Sequence, residues 1–221
     1  MAVTVTTIEV SSAACPPALR AGMAVAGAAQ RVWAIGNLQL LEQPLFGFFC
    51  STKCPGEIIL RTYDLAVAIR EAGVPMIGGF HTPMEKECFA LLLRGTQPLV
   101  MCPARSIAQM RLPADWRQAV VHGRLLVLSP FEAKPRHPTV ALTEQRNRFV
   151  AALSTHVLIA HAAPKSKTAG LCLELLQQHK PVFALAHPAN DHLLAAGAHA
   201  ATVTARVQNQ TISPGLARRS L

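Results

Sequence analysis

The sequence has few aromatic residues, few charges and no long apolar run. Aromatic residues make up 5% and charged residues 15% of its 221 residues, whereas 51% are hydrophobic. This composition excludes a disordered chain and indicates a compact globular fold. No apolar run reaches the ~18 residues that a membrane-spanning helix needs. Because no lysine or arginine precedes Arg20, a secretory signal is also a poor interpretation, and we expect a cytoplasmic protein that does not enter a membrane.

Metal-binding and dinucleotide-binding signatures are missing as well. Of the six cysteines, only Cys50 and Cys54 lie close together in the sequence. A zinc site would need about two further ligands at comparable spacing, and none follows. No histidine is fixed beside this pair, and the GxGxxG fingerprint is absent. We therefore expect no metal, no cofactor and no catalytic residue, and the role of the cysteine pair stays open.

Positive charge is the first feature that points to a ligand. The chain has 21 Lys and Arg residues against 12 Asp and Glu residues, a formal net charge of +9. Such an excess attracts polyanions, of which nucleic acid and phosphorylated small molecules are the obvious examples. Solubility alone is the competing interpretation, because the charge is spread along the chain.

Short apolar runs alternate with amphipathic segments over most of the chain. Runs without polar alternation are typical of strands that are buried on both faces. The pattern predicts a Rossmann-like, doubly wound α/β fold with a mostly parallel sheet of six or seven strands in three α/β/α layers. We assign it to one domain over residues 30–200, preceded by a weakly structured arm (1–29) and followed by a C-terminal strand and tail (201–221). The predicted strands are 31–37, 74–79, 98–104, 124–131, 156–162 and 181–188.

The fold predicts where a ligand would bind, since ligands of such sheets lie at the carboxyl ends of the strands. Glycine turns allow a backbone amide to approach a phosphate closely, and helix starts and cations attract it. Each candidate also has a structural interpretation as an ordinary turn, cap or solvated side chain. The candidate phosphate- or nucleic-acid-binding residues are Gly36, Asn37, Gly78, Gly79, Phe80, His81, Thr82, Arg146, Asn147, Arg148, Lys165, Ser166, Lys167 and Thr168.

The turn over residues 78–82 combines several of these features. Two glycines end a strand, and Thr82 can cap the helix that Pro83 begins. The start of that helix would attract an anion, and Phe80 would stack on a base. A glutamate in the first turn, Glu85, is favourable to the helix even without a ligand.

Two arginines flank an asparagine in the helix that precedes the strand at 156–162. The planar fork of arginine suits phosphate because it donates two parallel hydrogen bonds. Residues two positions apart point in different directions on a helix, so Arg146 and Arg148 cannot both face the apolar side. One of them would reach the ligand, and the other would meet a neighbour or solvent.

The segment RNRFVAALSTHVLIAHAAPKSKTAGLCLELLQQHKPVFALAHPAN resembles the DNA-processing protein A family (DprA, also called Smf). The shared features are Arg146-Asn147-Arg148, the following strand, Thr168 and the strand over residues 182–184. The resemblance covers about residues 31–198 and implies a Rossmann-like domain. It also implies non-enzymatic binding of single-stranded DNA, loading of a RecA-type recombinase during natural transformation, and a homodimer.

The chain also departs from that family. The glycine-serine-arginine that follows the family's first strand aligns here with Gly36-Asn37-Leu38, which removes an arginine. The family's glycine-serine turn near residue 165 contains two lysines here. Two other functions therefore stay open: a nucleotide sensor or phosphoribohydrolase-like enzyme that uses the same strand ends, and a scaffold whose pocket has decayed.

Overall fold

A computed structural model describes residues 4–26, 30–132 and 137–201. Nine strands in these ranges form one sheet, in the order β1-β2-β6-β5-β4-β3-β7-β8-β9. Strands β6, β5, β4, β3, β7, β8 and β9 are parallel, whereas β2 is antiparallel to both β1 and β6. The strands are Thr6–Glu9 (β1), Arg31–Ile35 (β2), Phe46–Cys50 (β3), Met76–Gly78 (β4), Leu99–Met101 (β5), Leu125–Ser129 (β6), His156–His161 (β7), Val182–Leu185 (β8) and His199–Ala201 (β9).

Helices cover both faces of the sheet, and each face has its own hydrophobic cluster. Helices α2, α3 and α4 pack on one face, and α1, α5, α6 and α7 on the other. These three layers confirm the predicted doubly wound α/β fold. The helices are Pro17–Ala26 (α1), Gly56–Glu71 (α2), Pro83–Leu92 (α3), Ala114–Val121 (α4), Val140–Leu153 (α5), Lys167–Gln177 (α6) and Asp191–Ala195 (α7). None of the helices in the described ranges is both long and apolar enough to cross a bilayer.

Side-chain caps set the starts of three of these helices. Thr82 caps α3 in a capping box with Glu85, and Pro83 occupies the first turn, as the sequence predicts. Thr139 caps α5, and Ser166 caps α6. Each hydroxyl satisfies one of the backbone N–H groups that the first turn of a helix leaves unpaired.

Two parts of the sequence-based description need correction. The expected weakly structured arm contains β1 and α1: Leu19 of α1 is fully buried, and Met23 is 3% exposed. The chain also has a strand, β3, in the unassigned segment between residues 38 and 54. Its residues are almost completely buried because it lies in the middle of the sheet. Of the predicted C-terminal strand and tail, residues 202–221 lie outside the described ranges.

The direction of β2 has consequences for Gly36. Because β2 runs antiparallel to β6, Gly36 lies beside Leu125, at the amino end of the parallel strands. Its φ is +117°, and a Cβ there would lie 2.5 Å from the carbonyl oxygen of Leu125. The glycine is therefore needed for chain packing, and not for an approach to a phosphate.

We predict that Gly36→Ala lowers the free energy of unfolding by about 3 kcal/mol, since a side chain adds backbone strain and a clash with main-chain atoms. Gly170→Ala is the matched control, because no atom lies within 4 Å of its added Cβ in α6. That change should instead stabilise the protein by about 0.5–1 kcal/mol. Urea unfolding followed by circular dichroism measures both effects, and equal stabilities would contradict the assigned role of Gly36.

Candidate nucleic-acid interface

The order of the strands creates a switch point between β3 and β7. From β3 the chain proceeds through β4 and β5 to β6, then returns to the other side of β3 and continues through β7 and β8 to β9. Helix α2 therefore leaves β3 on one face of the sheet, and α6 leaves β7 on the opposite face. Such a reversal opens a crevice at the carboxyl ends of the two strands, where ligands of open α/β sheets bind. We use "switch point" for the turns over residues 51–54 and 162–166.

Ser51 joins the two turns of the switch point. Its backbone N–H donates to the carbonyl oxygen of His161 over 2.8 Å. Its hydroxyl accepts from the backbone N–H of Ala163 over 3.2 Å and lies 3.4 Å from the hydroxyl of Ser166. The register of β3 against β7 also shifts between Phe49 and Cys50, which re-aims the end of β3. The two turns are therefore fixed relative to each other before any ligand arrives.

Each turn of the switch point carries one exposed lysine. Lys53 follows β3 and Lys165 follows β7, and both are exposed. Neither forms a salt bridge within the described ranges. Lys165 has a φ of +59°, a conformation that glycine adopts more readily. The lysine thus occupies a turn position that usually favours glycine, and it adds charge there.

Arg146 lies under the neighbouring turns and is not exposed to solvent. It is 2% exposed; its Nη1 donates to the carbonyl oxygen of Cys102 over 3.1 Å, and its Nε donates to Oδ1 of Asn147 over 2.8 Å. A Cβ on Gly79 would overlap its guanidinium group. Burial lowers the pKa of Arg146, and the negative charge of Glu85 opposes that shift. Arg146 and Gly79 therefore support the loops from within, where the sequence predicted that they meet phosphate.

Arg148 lies two residues after Arg146 in α5 and points away from the core, as the helical spacing predicts. Its guanidinium group binds the carboxylate of Glu174 on α6, with an Nε–Oε1 distance of 3.1 Å. Lys167 is paired with Glu144 on α5. These pairs line a groove of about 270 Å³ between α5 and α6. Because carboxylates already neutralise both cations, this groove is a poor site for a phosphate.

Phe80 also differs from its predicted role. It is 2% exposed and packs against another aromatic side chain, with its ring centroid 4.6 Å from that of Phe89. A buried ring cannot stack on a base of a bound strand. Gly78 makes room for this ring, because a Cβ there would lie 2.9 Å from Cζ of Phe80.

The structure gives a mixed result for the other predicted residues. His81, Thr82, Lys165, Ser166 and Thr168 lie at the carboxyl ends of the parallel strands, as predicted. Burial lowers the pKa of His81, with Arg146 and Lys86 adding to the shift, so this histidine is not a permanent cation. Gly36 and Asn37 lie at the opposite end of the sheet, and Asn37 caps a 3₁₀ turn by accepting from the N–H of Gln39.

Ser51, Thr52 and Lys53 are candidate site residues that sequence reasoning missed. The turn after β3, and not Gly36-Asn37-Leu38, lies beside the turn after β7 at the carboxyl ends of the parallel strands, and the missed strand explains the misplacement. The apolar run that ends at Cys50, with Pro55 following, was the available signal. Burial raises the pKa of Cys50, at the end of β3, and of Cys54, in the turn, which disfavours their thiolate forms.

We predict that Arg146→Ala destabilises the fold far more than Arg148→Ala. Removing Arg146 leaves the buried carbonyl of Cys102 and the carboxylate of Glu85 without their cation, which costs about 3 kcal/mol. The exposed Arg148–Glu174 pair contributes only about 0.2–1 kcal/mol. Urea unfolding of the two variants provides the test. Similar losses would mean that Arg146 is not the internal support described above.

A model of the family described as DNA recombination-mediator protein A matches residues 7–212. A search of curated proteins finds no match.

Three solved structures illustrate the likeness of the fold. DNA processing protein A from Streptococcus pneumoniae has a TM-score of 0.71 at 19% identity, over 87% of this chain and 69% of that one. The Helicobacter pylori protein, whose structure concerns a single-stranded DNA binding mode, has a TM-score of 0.66 at 20% identity, over 88% and 89% of the two chains. A molybdenum cofactor binding protein from Rippkaea orientalis has a TM-score of 0.50 at 13% identity, over 69% and 83%.

Proposed function

Because this chain belongs to the DNA recombination-mediator protein A family, and is therefore a protein of DNA processing and recombination, we propose that it binds single-stranded DNA without cleaving it. The single-stranded DNA would bind at the switch point, with its phosphates near Lys53 and Lys165. The H. pylori relative has a described single-stranded DNA binding mode, which agrees with this ligand class.

One observation carries the proposal: two exposed lysines, which have no carboxylate partner in the part of the chain that the structure describes, lie on the two turns that Ser51 holds together. Exposed cations on a fixed framework bind phosphates without a large cost of ordering loops. The first N–H groups of α6 have no acceptor inside the helix, and Ser166 caps only that of Ala169. The N–H groups of Lys167 and Thr168 have no acceptor among the described residues and are available to a phosphate, which the helix dipole also favours. The net charge of +9 adds a long-range attraction.

Family membership supports three finer proposals. The protein acts in the cytoplasm, delivers the bound strand to a RecA-type recombinase during natural transformation, and works as a homodimer. A phosphorylated nucleotide is the alternative ligand, since the switch point would hold its phosphate through the same groups.

We predict that Lys53→Gln combined with Lys165→Gln weakens binding of a fluorescent, mixed-sequence oligonucleotide by about tenfold at low salt. Loss of two phosphate contacts should also reduce the slope of log affinity against log salt by about 1.4. Fluorescence anisotropy at several salt concentrations measures both quantities.

The matched control is Arg94→Gln combined with Lys180→Gln. Arg94 follows α3 and Lys180 precedes β8, so both residues lie at the amino ends of the parallel strands. The control removes the same charge, and its affinity should stay within about twofold of the wild type. Equal weakening by both double variants would show that only net charge matters and would remove the switch point from the site. Thermal stabilisation by nucleoside monophosphates, without DNA binding, would identify a nucleotide site instead.

For the homodimer, we predict a solution mass of twice the 23.7 kDa of the chain. Size exclusion with multi-angle light scattering measures this mass directly. A single-chain mass over the concentration range of the binding assay would contradict the proposed assembly.

A further inference from the structure

Glu85 is a buried carboxylate that accepts hydrogen bonds from two different turns. It is 5% exposed. Its Oε1 accepts from the backbone N–H of Cys50 over 2.9 Å, and its Oε2 accepts from those of His81 over 2.8 Å and Thr82 over 3.3 Å. Cys50 ends β3, whereas the other two donors belong to the turn after β4.

A helix cap explains only part of this arrangement. In a capping box the glutamate accepts from the N–H of the cap residue, which here is Thr82. The bond from Cys50 comes from a residue 35 positions earlier in the chain, on a neighbouring strand. It joins the beginning of the Ser51–Lys53 turn to the start of α3. Glu85 therefore acts on the switch point as well as on its own helix.

The carboxylate also occupies a place that would suit an anion. It lies at the positive end of α3, where free backbone N–H groups converge, and the cation Arg146 is close enough to attract it. A phosphate approaching this turn would meet a negative charge that already fills the donors. The turn after β3 carries no such carboxylate acceptor, and its lysine faces solvent.

We propose that Glu85 is a positioning residue for DNA binding. It fixes the end of β3 so that Ser51 and Lys53 face the bound DNA, and it keeps phosphates away from the start of α3. The inference rests on the function proposed above and adds to it a group that never touches the DNA.

The test compares Glu85→Gln with Glu87→Gln by anisotropy over a range of salt concentrations. Both changes remove one negative charge, and Glu87 is exposed, with only the hydroxyl of Tyr63 donating to it among the described residues. Charge alone predicts slightly tighter binding for both variants. Positioning predicts that Glu85→Gln weakens binding about tenfold and lowers the salt slope by about 0.7, the share of one phosphate contact. Binding by Glu85→Gln as tight as by Glu87→Gln overturns the inference.

A second variant and a spectrum guard against simple misfolding. Glu85→Asp keeps the charge but is one methylene shorter, so its carboxylate cannot span both turns. It should fold and still bind DNA more weakly than the wild type; wild-type affinity would count against the proposal. In amide NMR spectra, the signals of Cys50 and His81 should shift in the Glu85 variants and stay in place in Glu87→Gln.

The two proposals can fail separately. If the wild type binds no oligonucleotide at low salt, the proposed function is wrong, and the DNA role of Glu85 falls with it. If the wild type binds but the amide signal of Cys50 does not move in Glu85→Gln, only the positioning role is wrong.

Discussion

The backbone of Ser51 pairs with that of His161 where the order of the strands reverses, between β3 and β7, whose following helices lie on opposite faces of the sheet. The chain continues from β3 into α2 on one face of the sheet and from β7 into α6 on the other, so the two connections diverge. The amides and side chains at the ends of β3 and β7 therefore remain open to solvent. The hydroxyl of Ser51 then holds the second turn by accepting from Ala163. This framework sets the distance between the two turns that carry the exposed lysines Lys53 and Lys165.

A second set of interactions stiffens the same region from below. Arg146 reaches through the space left by Gly79 to the carbonyl of Cys102, and Glu85 ties the end of β3 to the start of α3. Both side chains are charged and nearly completely buried. Burying charge is costly unless it is fully hydrogen-bonded, and such networks specify a unique arrangement of the groups they join. The buried residues Arg146 and Glu85 thus fix the positions of the turns that they join.

Much of the fold could be predicted from local pattern, whereas the site required long-range information. The cap at Thr82 and the buried strands after residue 74 follow from local physics. The direction of β2 does not, because a buried apolar run reads the same in either orientation, and this moved Gly36 to the wrong end of the sheet. The burial of Arg146 had a local signal that was passed over: it shares helical spacing with Phe149, Val150 and Leu153, all buried. Because β3 was not predicted, Lys53 was not identified as a candidate residue. The turn that carries Lys53 becomes part of a candidate site only through the pairing of β3 with β7.

The antiparallel pair of strands β1 and β2 offers a place for attaching a label. Three strands separate β2 from β3, so β1 lies roughly 24 Å across the sheet from the switch point at about 4.8 Å per strand. A dye or surface linker attached to β1 would therefore stay clear of DNA bound at the proposed site, yet within range for energy transfer to a labelled oligonucleotide. The same geometry allows immobilisation through this pair of strands at a distance from the proposed site.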